Sequence, residues 1–513
     1  MPPLSAPALC SAGPALAEAG HTPSSERMRW QQLLRQRLRG RPQPMLVSGE
    51  AATPAASLWT GARRWIEAFR AAGLTAGDRL VVALPSGTPF VQVLVAALWE
   101  GVTLAPAAPG TDVASLIWTL DARAAVADTE GRHIWTPDGV AGPLGPLPSA
   151  RKAAESPTEG ICLLLRTSGT AGPGRWIALS DANVFAVLDS HTPHLGLSEQ
   201  ACVLAGLPWH HAFGLVLELL PALLAGAEIV RLQDPRDPEA LLAAFDAWAP
   251  THFSAVPLTI RRLLQAGGRA RLHRLSGGVV GGAPIPADVA QGLSGSLLRV
   301  GYGQTEAGPG IMLGEPGRFV PGYLGRPVGC AVRTDADAQL YFSGPNAHAG
   351  VWTQRHYRPT EVGRWVATGD CVRLASSTQA PGHPTEAISS PEEARLPSDS
   401  DTLAYVFDGR VSDSFKLSNG RFVHAGRTES ALRDLVPGLL DALLCTLDGE
   451  SLTLALLMKS GTAPPPLSAL RTALGPLADR LGSVRVLTPA TWVRHSKGTP
   501  DRAAIARALA AQE

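Results

Sequence analysis

The sequence has almost no net charge. Its 45 lysine and arginine residues are balanced by 44 aspartate and glutamate residues, which leaves +1 over 513 residues. A field this weak does not hold nucleic acid or an anionic membrane by charge alone, so the composition argues against nucleic acid as a partner. Any charged ligand has to be recognised locally, by a few residues that the fold brings together.

Cysteines are few and far apart. They form no C-x-x-C pair, which argues against a disulfide framework and against a cysteine zinc site. A reducing cytoplasm is therefore the predicted compartment. The six are Cys10, Cys162, Cys202, Cys330, Cys371 and Cys445.

The sequence also lacks a long uninterrupted apolar run. The longest uncharged apolar stretch, residues 80–99, is broken by Pro85 and Pro89, whereas a membrane-spanning helix needs about 20 continuous apolar residues. The first residues lack the basic segment of a signal peptide, so we interpret 1–26 as a loose tail. We expect no integral membrane segment.

Strand and helix patterns alternate over most of the chain. Apolar runs such as 80–84 and 161–165 predict buried strands, and stretches with helical spacing separate them. Because strands joined through helices usually pair in parallel, this alternation predicts an α/β layer architecture. A length of 513 residues suggests about three to four domain-sized units.

The last hundred residues follow another pattern. Two apolar runs flank Asp448-Gly449, a strong hairpin signal, and a helix over 467–481, a short strand and a helix over 501–511 follow. The fold class is thus predicted as α/β, with a large N-terminal domain of layered α/β subdomains and a small α+β C-terminal domain. The predicted boundaries are 27–409 for the large domain, 376–400 for an inserted polar, proline-rich surface loop, and 410–513 for the small domain.

A loop rich in glycine and hydroxyl groups follows the apolar run 161–165. It extends from Thr167 to Arg175 and reads TSGTAGPGR. Glycines let the backbone approach a ligand, consecutive N–H groups can form an anion-binding nest, and Arg175 can neutralise a phosphate oxygen. The loop is not a Walker A motif, and on its own it fits a solvated turn better than a phosphate cradle.

Four further segments carry side chains suited to a nucleotide. Tyr302 offers an aromatic face for a base, and Glu306 offers a carboxylate for Mg²⁺. The small residues 281–284 leave a slot for a flat ring, and Asp370 in a T-G-D turn can accept from both ribose hydroxyls. Arg410 lies in a Gly-Arg pair where the composition changes. Taken singly, each segment is also an ordinary turn or linker.

The order and spacing of these segments resemble the adenylate-forming superfamily of acyl-CoA and aryl-CoA synthetases, adenylation domains and luciferases. The resemblance covers nearly the whole chain from about residue 30. The superfamily's phosphate loop, T-S-G-T-T-G-x-P-K-G, is matched through Gly172, with Arg175 in place of its lysine. Its Y-G-x-T-E, T-G-D and G-R motifs are intact, and P-x-x-H-x-F-G is matched at 208–214.

This resemblance implies a reaction in two halves. A carboxylic acid and Mg·ATP form acyl-AMP and pyrophosphate, the small C-terminal domain rotates, and a thiol such as that of CoA attacks the mixed anhydride. The implied ligands are therefore a carboxylic acid, ATP, Mg²⁺ and CoA. The residue implied as the hinge is Ser412, whose small size suits a position that must change its backbone angles.

The resemblance also implies a role for each matched residue. Contacts to the β- and γ-phosphates are implied for Thr167, Ser168, Gly169, Thr170 and Gly172, with Arg175 as the loop's cation. Thr305 is implied at the α-phosphate and Glu306 at Mg²⁺. Adenine contacts are implied for Tyr302, Gly303, Gly282, Ala283 and Pro284, and ribose contacts for Asp370 and Arg410. His211 is implied beside the carboxylate of the acid, although a lone histidine in an apolar segment is more often a core residue.

The C-terminal end departs from the superfamily. Its catalytic lysine, commonly in G-K-x-x-R, contacts the reacting carboxylate. If Arg502 aligns with that arginine, Thr499 occupies the lysine position, and only a shift in alignment lets Lys497 serve. Lys497 is the candidate, and an exposed charge before a terminal helix is an equally good interpretation of it.

The acceptor is predicted to be CoA. Residues 415–423 and Lys497-Gly498 are similar to the feruloyl-CoA synthetase-like and long-chain acyl-CoA synthetase-like versions of these motifs. One alternative is an adenylating enzyme that loads a separate carrier protein. The other is a degenerate member that binds a nucleotide or acyl ligand with weak turnover, as the departures at Arg175, Trp176, Asp181 and Thr499 suggest.

Overall fold

The computed structural model describes residues 24–38, 44–49, 51–129, 132–135, 160–167, 175–232, 234–353, 355–375, 403–420, 422–494 and 500–511. The predicted loop 376–400 and residues 1–23 of the predicted tail lie outside these ranges, and the first described helix begins at Ser25. None of the described helices is long and apolar enough to cross a membrane.

The first large sheet has a parallel centre. Strand Arg79–Ala83 pairs in parallel with Thr103–Pro106 and Ala124–Thr129, and Thr103–Pro106 pairs in parallel with Ile161–Arg166. The predicted parallel pairing is confirmed here. The eight strands are ordered His356–Pro359, Gly350–Thr353, Trp176–Ser180, Ile161–Arg166, Thr103–Pro106, Arg79–Ala83, Ala124–Thr129 and Arg132–Trp135.

The second sheet has five strands. Its strand Cys202–Ala205 leads into the segment that contains His210 and His211. Glu228–Arg231 pairs in parallel with Cys202–Ala205 and with Pro44–Ser48. The strand order is His252–Phe253, Cys202–Ala205, Glu228–Arg231, Pro44–Ser48 and Ala51–Pro54.

The third sheet carries most of the predicted nucleotide residues. Its first two strands, Val279–Gly281 and Arg299–Tyr302, are parallel, and the other neighbouring strands are antiparallel. The strand order is Val279–Gly281, Arg299–Tyr302, Met312–Leu313, Tyr323–Pro327, Tyr405–Arg410, Val366–Leu374, Gln339–Ser343 and Ala331–Thr334.

Helices cover the sheets with their apolar sides. Thr88–Glu100 is buried from Phe90 onward apart from Gln92, because nearly every residue in it is apolar. The α-helices before residue 410 are Ser25–Leu38, Ala55–Ala71, Thr88–Glu100, Val113–Leu120, Asp181–His191, Ala212–Gly214, Leu220–Ala225, Pro238–Trp248, Pro257–Gln265, Arg269–His273 and Ala287–Leu293. Short 3₁₀ turns lie at Thr192–His194 and Thr305–Ala307.

The helical segment from Ala212 to Ala225 contains a π turn. Leu215–Leu219 forms the wider π geometry between Ala212–Gly214 and Leu220–Ala225. Pro221 has no N–H to donate to the carbonyl of residue 217, and the wider turn lies just before it. Every residue of the π turn is buried, including Glu218.

The C-terminal part has its own small core. Leu439–Cys445 and Leu452–Met458 form the hairpin predicted around Asp448-Gly449, and Leu481–Leu487 pairs in parallel with the second strand. The helix predicted over 467–481 was too long, because Gly475 and Pro476 end the α-helix at Leu474. The other elements are a 3₁₀ turn at Val411–Asp413, strands Ser414–Lys416 and Phe422–His424, helix Ala425–Leu435, the 3₁₀ turn Gly475–Arg480 and helix Arg502–Ala510.

Candidate functional site

The candidate site begins where two parallel strands end together. Gly281 is paired with Gly301, so Gly282 and Tyr302 follow at the same edge of the third sheet. Gly282 has a positive φ of 81° and is exposed, as is Pro284, while Ala283 is half-buried. Since parallel strands present their carboxyl ends at one edge, the two predicted adenine segments lie side by side.

Close approach of the backbone explains the glycines at this edge. A Cβ added to Gly281 would overlap the carbonyl oxygen of Gly301, and one added to Gly303 would overlap that of Pro309. A side chain at either position would push the strands apart. Glycine therefore keeps the floor of the cleft flat beside Tyr302.

Tyr302, Asp370 and Arg410 form one hydrogen-bonded group. The Tyr302 hydroxyl donates to Asp370 Oδ2 at 2.9 Å, and Arg410 Nε lies 3.1 Å from Asp370 Oδ1. Burial raises the pKa of Asp370, and the Arg410 guanidinium opposes that rise. The structure thus brings Tyr302, predicted to contact adenine, together with Asp370 and Arg410, predicted to contact ribose. The three residues lie on three different strands.

Asp370 is held by its own turn. The Thr368 hydroxyl donates to the Leu340 carbonyl at 2.8 Å and accepts from the Asp370 amide at 3.1 Å. The Asp370 residue is only 7% exposed. Because donors already fix the position of this buried carboxylate, it can accept hydrogen bonds from hydroxyl groups with little further loss of side-chain entropy.

Glu306 lies in the 3₁₀ turn Thr305–Ala307, directly after Tyr302 and its strand. The Glu306 carbonyl accepts from the His348 amide at 2.9 Å and contacts His348 Nδ1 at 3.1 Å. These contacts fix the backbone of the turn. The Thr305 hydroxyl and the Glu306 carboxylate are therefore carried on a short, rigid segment at the edge of the cleft.

The phosphate loop reaches this turn through its last residue. Arg175 Nη2 lies 3.8 Å from Glu306 Oε1, and the Thr167 amide donates to the Arg175 carbonyl at 3.0 Å, which closes the base of the loop. An ion pair with so exposed an arginine contributes little stability. It does place the base of the loop beside Glu306. The remaining predicted loop residues, Ser168, Gly169, Thr170 and Gly172, lie outside the described residues.

The carboxylate of Glu306 fits Mg²⁺ bound together with a triphosphate. Within the described ranges, no group of three or more histidine, cysteine, aspartate or glutamate side chains could hold a metal ion unaided. Mg²⁺ is usually held by one or two carboxylates plus substrate phosphates, and it keeps several waters. A single carboxylate next to the phosphate loop meets that description.

An apolar cavity of about 50 Å³ adjoins Tyr302. Five of its lining residues are glycines, and Phe213 and Leu217 close one side. His211 precedes these two residues in an exposed turn, with its ring centroid 4.4 Å from that of His210. The predicted acyl-pocket segment thus borders the cavity, while His211 itself lies at the exposed end of that segment.

The polar cleft, which carries Tyr302, Asp370 and Glu306, shares Tyr302, Gly303 and Gly282 with the apolar cavity.

Residues 43–339 match the family described as AMP-binding enzyme. The chain belongs to this family. The predictions of an AMP-binding enzyme and of its α/β fold class are confirmed.

Similar proteins include ligases that act on aromatic acids. This AMP-binding enzyme is 29% identical over 356 residues to a feruloyl-CoA synthase from Amycolatopsis sp, covering 64% of this chain and 72% of the relative. It is 24% identical over 424 residues to a 2-succinylbenzoate–CoA ligase from Geobacillus kaustophilus, covering 78% and 81%. The structure of E. coli MenE with a bound analogue of OSB-AMS superposes with a TM-score of 0.69 at 17% identity, covering 95% and 99%.

Two departures from the superfamily pattern have structural explanations in this AMP-binding enzyme. Trp176 is buried and lies opposite Trp352 on the neighbouring strand. Asp181 accepts from the Trp30 indole N–H at 2.6 Å, and burial raises its pKa to about 6. Both residues serve packing between the first sheet and its helices, so neither argues for loss of nucleotide binding.

Sequence reasoning missed two buried ionisable residues, Glu218 and Arg231, near the histidine turn. Glu218 Oε1 accepts from the Leu207 amide at 3.3 Å and lies 3.4 Å from Trp209 Nε1. Arg231 Nη1 donates to the Leu207 carbonyl at 2.6 Å. Burial raises the pKa of Glu218 to about 8, and Arg231 opposes the rise. Glu218 from the π turn and Arg231 from the strand Glu228–Arg231 both bond to Leu207, just before the histidine turn, and no local sequence pattern indicates this.

The C-terminal candidates are only partly described. Lys497 and Thr499 lie outside the described residues. Arg502 Nη1 lies 2.8 Å from Glu429 Oε2, and Arg502 Nη2 donates to the Leu444 carbonyl at 2.8 Å. Arg502 Nε is also 3.8 Å from Asp413, in the turn that follows Arg410. Arg502 therefore ties the final helix to the small core and to the segment that contains Ser412.

Proposed function

We propose that this enzyme is an acid–thiol ligase that activates a carboxylic acid with ATP and transfers the acyl group to CoA. One observation carries the proposal: Tyr302, which is bonded to Asp370 and lies just before the turn that carries Glu306, also lines an apolar cavity of about 50 Å³. The two relatives named above are, by name, CoA ligases of aromatic acids, which supports an aromatic acid as the substrate.

The nucleotide would lie along the polar cleft. Asp370 and Arg410 would bind the ribose, and Tyr302 with the flat edge formed by Gly282, Ala283, Pro284 and Gly303 would hold adenine. Arg175 and the loop from Thr167 through Gly172 would hold the β- and γ-phosphates. Mg²⁺, when bound by Glu306, would neutralise charge on the phosphate oxygens.

The first half-reaction needs positioning more than a protein nucleophile. One carboxylate oxygen of the acid attacks the α-phosphorus of ATP as the bond to the pyrophosphate oxygen breaks, giving acyl-AMP and pyrophosphate. Thr305 would hold the α-phosphate, and His211 would border the reacting carboxylate. Holding both reactants in line lowers the entropic part of the barrier, and fixed donors stabilise the charge that develops.

The second half-reaction breaks the mixed anhydride. The sulfur of CoA attacks the acyl carbon, the bond to the AMP oxygen breaks, and the thiol proton is released. We propose rotation of the C-terminal part about the exposed turn Val411–Asp413, with Ser412 as the hinge. Lys497 remains the candidate for contact with the reacting carboxylate in the first half.

The proposal is tested by acid-dependent exchange of radioactive pyrophosphate into ATP. Purified full-length enzyme should catalyse exchange with at least one aromatic acid, and CoA should then be consumed with formation of its thioester, measured by mass spectrometry. Exchange without CoA consumption would favour a carrier protein as the acceptor. Absence of exchange across aromatic and fatty acids, with ATP still binding, would favour the degenerate alternative.

A further inference from the structure

His191 is part of the wall of the apolar cavity. It is the last residue of helix Asp181–His191, is 1% exposed, and lines the cavity together with Leu313 and Val279. Its ring packs against Gly310, where an added Cβ would overlap the imidazole. The glycine thus makes room for a polar ring in an otherwise apolar wall.

One ring nitrogen of His191 has no protein partner within the described residues. Nε2 is fully buried and forms no hydrogen bond. Nδ1 lies 2.9 Å from Ser190 Oγ. Leaving a buried nitrogen unpartnered is unfavourable, and native proteins rarely do so away from functional positions.

The contacts of Ser190 decide which nitrogen carries the proton. Ser190 Oγ is 2.6 Å from the Ala186 carbonyl oxygen, which can only accept, so the single hydroxyl proton is donated there. Ser190 Oγ must then accept from His191, and Nδ1 holds the ring proton. Burial, aided by His194, lowers the pKa of His191 to about 4, so the ring is neutral. Nε2 is left as a bare acceptor.

The size of the cavity limits what can reach that acceptor. A volume of about 50 Å³ holds roughly three to five waters. It is about a third of the volume of a cavity that binds a benzene ring, so a small polar substituent fits this space and a whole ring does not.

We propose that His191 is a specificity residue whose Nε2 accepts a hydrogen bond from a hydroxyl or amino group on the ring of an aromatic acid. This rests on the proposed function, because it assumes that the acid binds with its carboxylate toward Tyr302 and Glu306 and that the donor group on its ring reaches the cavity wall at His191. An acid that lacks the donor leaves Nε2 buried and unpartnered, and the site discriminates against it for that reason.

The test compares acids that differ only in the donor. Binding to the full-length enzyme is measured by calorimetric titration, without ATP, for benzoate and cinnamate, their ring-hydroxylated and ring-aminated forms, and the matching methyl ethers. We expect at least one donor-bearing acid to bind about tenfold more tightly than both its parent and its methyl ether. His191→Phe should reduce that ratio to below about twofold, and His191→Gln, which keeps an acceptor, should restore part of it.

The matched control is His273→Gln. His273 Nε2 already contacts the Gly292 carbonyl at 3.0 Å and is not part of the cavity wall. The donor preference should be unchanged in that variant. If His191→Phe does not fold, the acid series on the unmodified enzyme and on His191→Gln still decides the question.

The outcomes separate this inference from the proposed function. A donor preference in binding without pyrophosphate exchange would leave the inference standing and overturn the ligase activity. Exchange with equal affinity for parent, ether and donor-bearing acids would overturn the inference alone. A preference that survives in His191→Phe would also overturn it, and failure of every acid to bind would overturn both.

Discussion

The proposed nucleotide side of the cleft and the proposed acid side are lined by different kinds of residue. On the proposed nucleotide side, Tyr302, Asp370 and Arg410 are polar, bonded to one another, and carried on short recognisable motifs. On the proposed acid side, the wall combines glycines and mainly apolar residues from four separate segments around one buried histidine. Short motifs can be recognised in a sequence, whereas a wall assembled from scattered segments cannot.

This difference locates where specificity is decided. A substitution on the nucleotide side should affect every acid equally, because all of them react with the same ATP. A substitution in the cavity should change the ranking of acids and leave ATP binding intact.

The largest effect is expected for Glu306→Gln. The variant removes the carboxylate proposed for Mg²⁺ and the partner of Arg175. Loss of charge stabilisation at the reacting phosphate should lower acid-dependent pyrophosphate exchange by about 100-fold or more, with every acid. The control is Glu361→Gln, an exposed glutamate on another turn, which should retain full exchange. Normal exchange in Glu306→Gln would remove this residue from the metal site.

A smaller and more selective effect is expected for Gly310→Ala. The new methyl group would overlap His191 and shrink the cavity. Overpacking of this kind should reduce kcat/KM for aromatic acids by about 10- to 100-fold while KM for ATP changes by less than about twofold. Steady-state kinetics with each substrate varied in turn measures both.

Gly292→Ala is the matched control for that variant. Gly292 lies in helix Ala287–Leu293 away from the cavity, and its added Cβ would meet only the flexible end of Leu264. Acid kinetics should stay within about twofold of the unmodified enzyme. A large rise in KM for ATP in Gly310→Ala would contradict the division of the cleft into two sides.

The next prediction concerns Asp370→Asn. The amide keeps the size of the side chain but loses the charge that faces Arg410 and one acceptor for the ribose. We expect KM for ATP to rise about tenfold, by the same factor whichever acid is used. Asp288→Asn breaks the exposed pair with Arg261, where Oδ2 is 2.6 Å from Nε, and should leave KM unchanged. An acid-dependent change in Asp370→Asn would count against a ribose role.

The smallest effect, on stability alone, is expected for Glu218→Gln. Burial raises the pKa of Glu218 from 4.5 to about 8, so the folded chain holds this proton over a pH range in which the unfolded chain releases it. The contribution is complete below pH 4.5 and is lost as the pH rises toward 8. The variant has no such proton, and it keeps an acceptor for Trp209.

Thermal unfolding at pH 5.5 and pH 8 measures this difference. The Tm of Glu218→Gln minus that of the unmodified chain should become more positive by several degrees from the lower to the higher pH. Glu361→Gln should show no such trend. A constant difference would mean that Glu218 is ionised in the folded protein at both values.

Sequence patterns predicted the parts of the site that are contiguous in the chain. Tyr302 and Glu306 share one short segment, and the T-G-D and G-R motifs are each contiguous in the chain. The order and spacing of these motifs therefore indicated nucleotide binding. The α/β class and the hairpin at Asp448-Gly449 were predictable for the same reason, because alternation and turn residues are local signals. The helix predicted over 467–481 was too long, because the prediction gave too little weight to Gly475 and Pro476 as helix-ending residues.

Residues that matter through long-range contacts were not predictable. His191 ends an apolar helix and has the sequence context of a core histidine, and only the fold brings it to Gly310, more than a hundred residues away. Glu218 and Arg231 likewise meet at Leu207 although they lie on different elements, a π turn and a strand. A single sequence contains no local pattern for such contacts, since they depend on how the sheets pack.

The sequence by itself determined the family, the fold class and the identity of the nucleotide motifs, because each depends on backbone chemistry confined to a few neighbouring residues. Only the tertiary structure decided that Arg175 meets Glu306, that Tyr302 meets Asp370, and that His191, whose buried Nε2 has no hydrogen-bond partner among the described residues, lines the cavity. Packing sets those distances, and packing is a property of the whole folded chain.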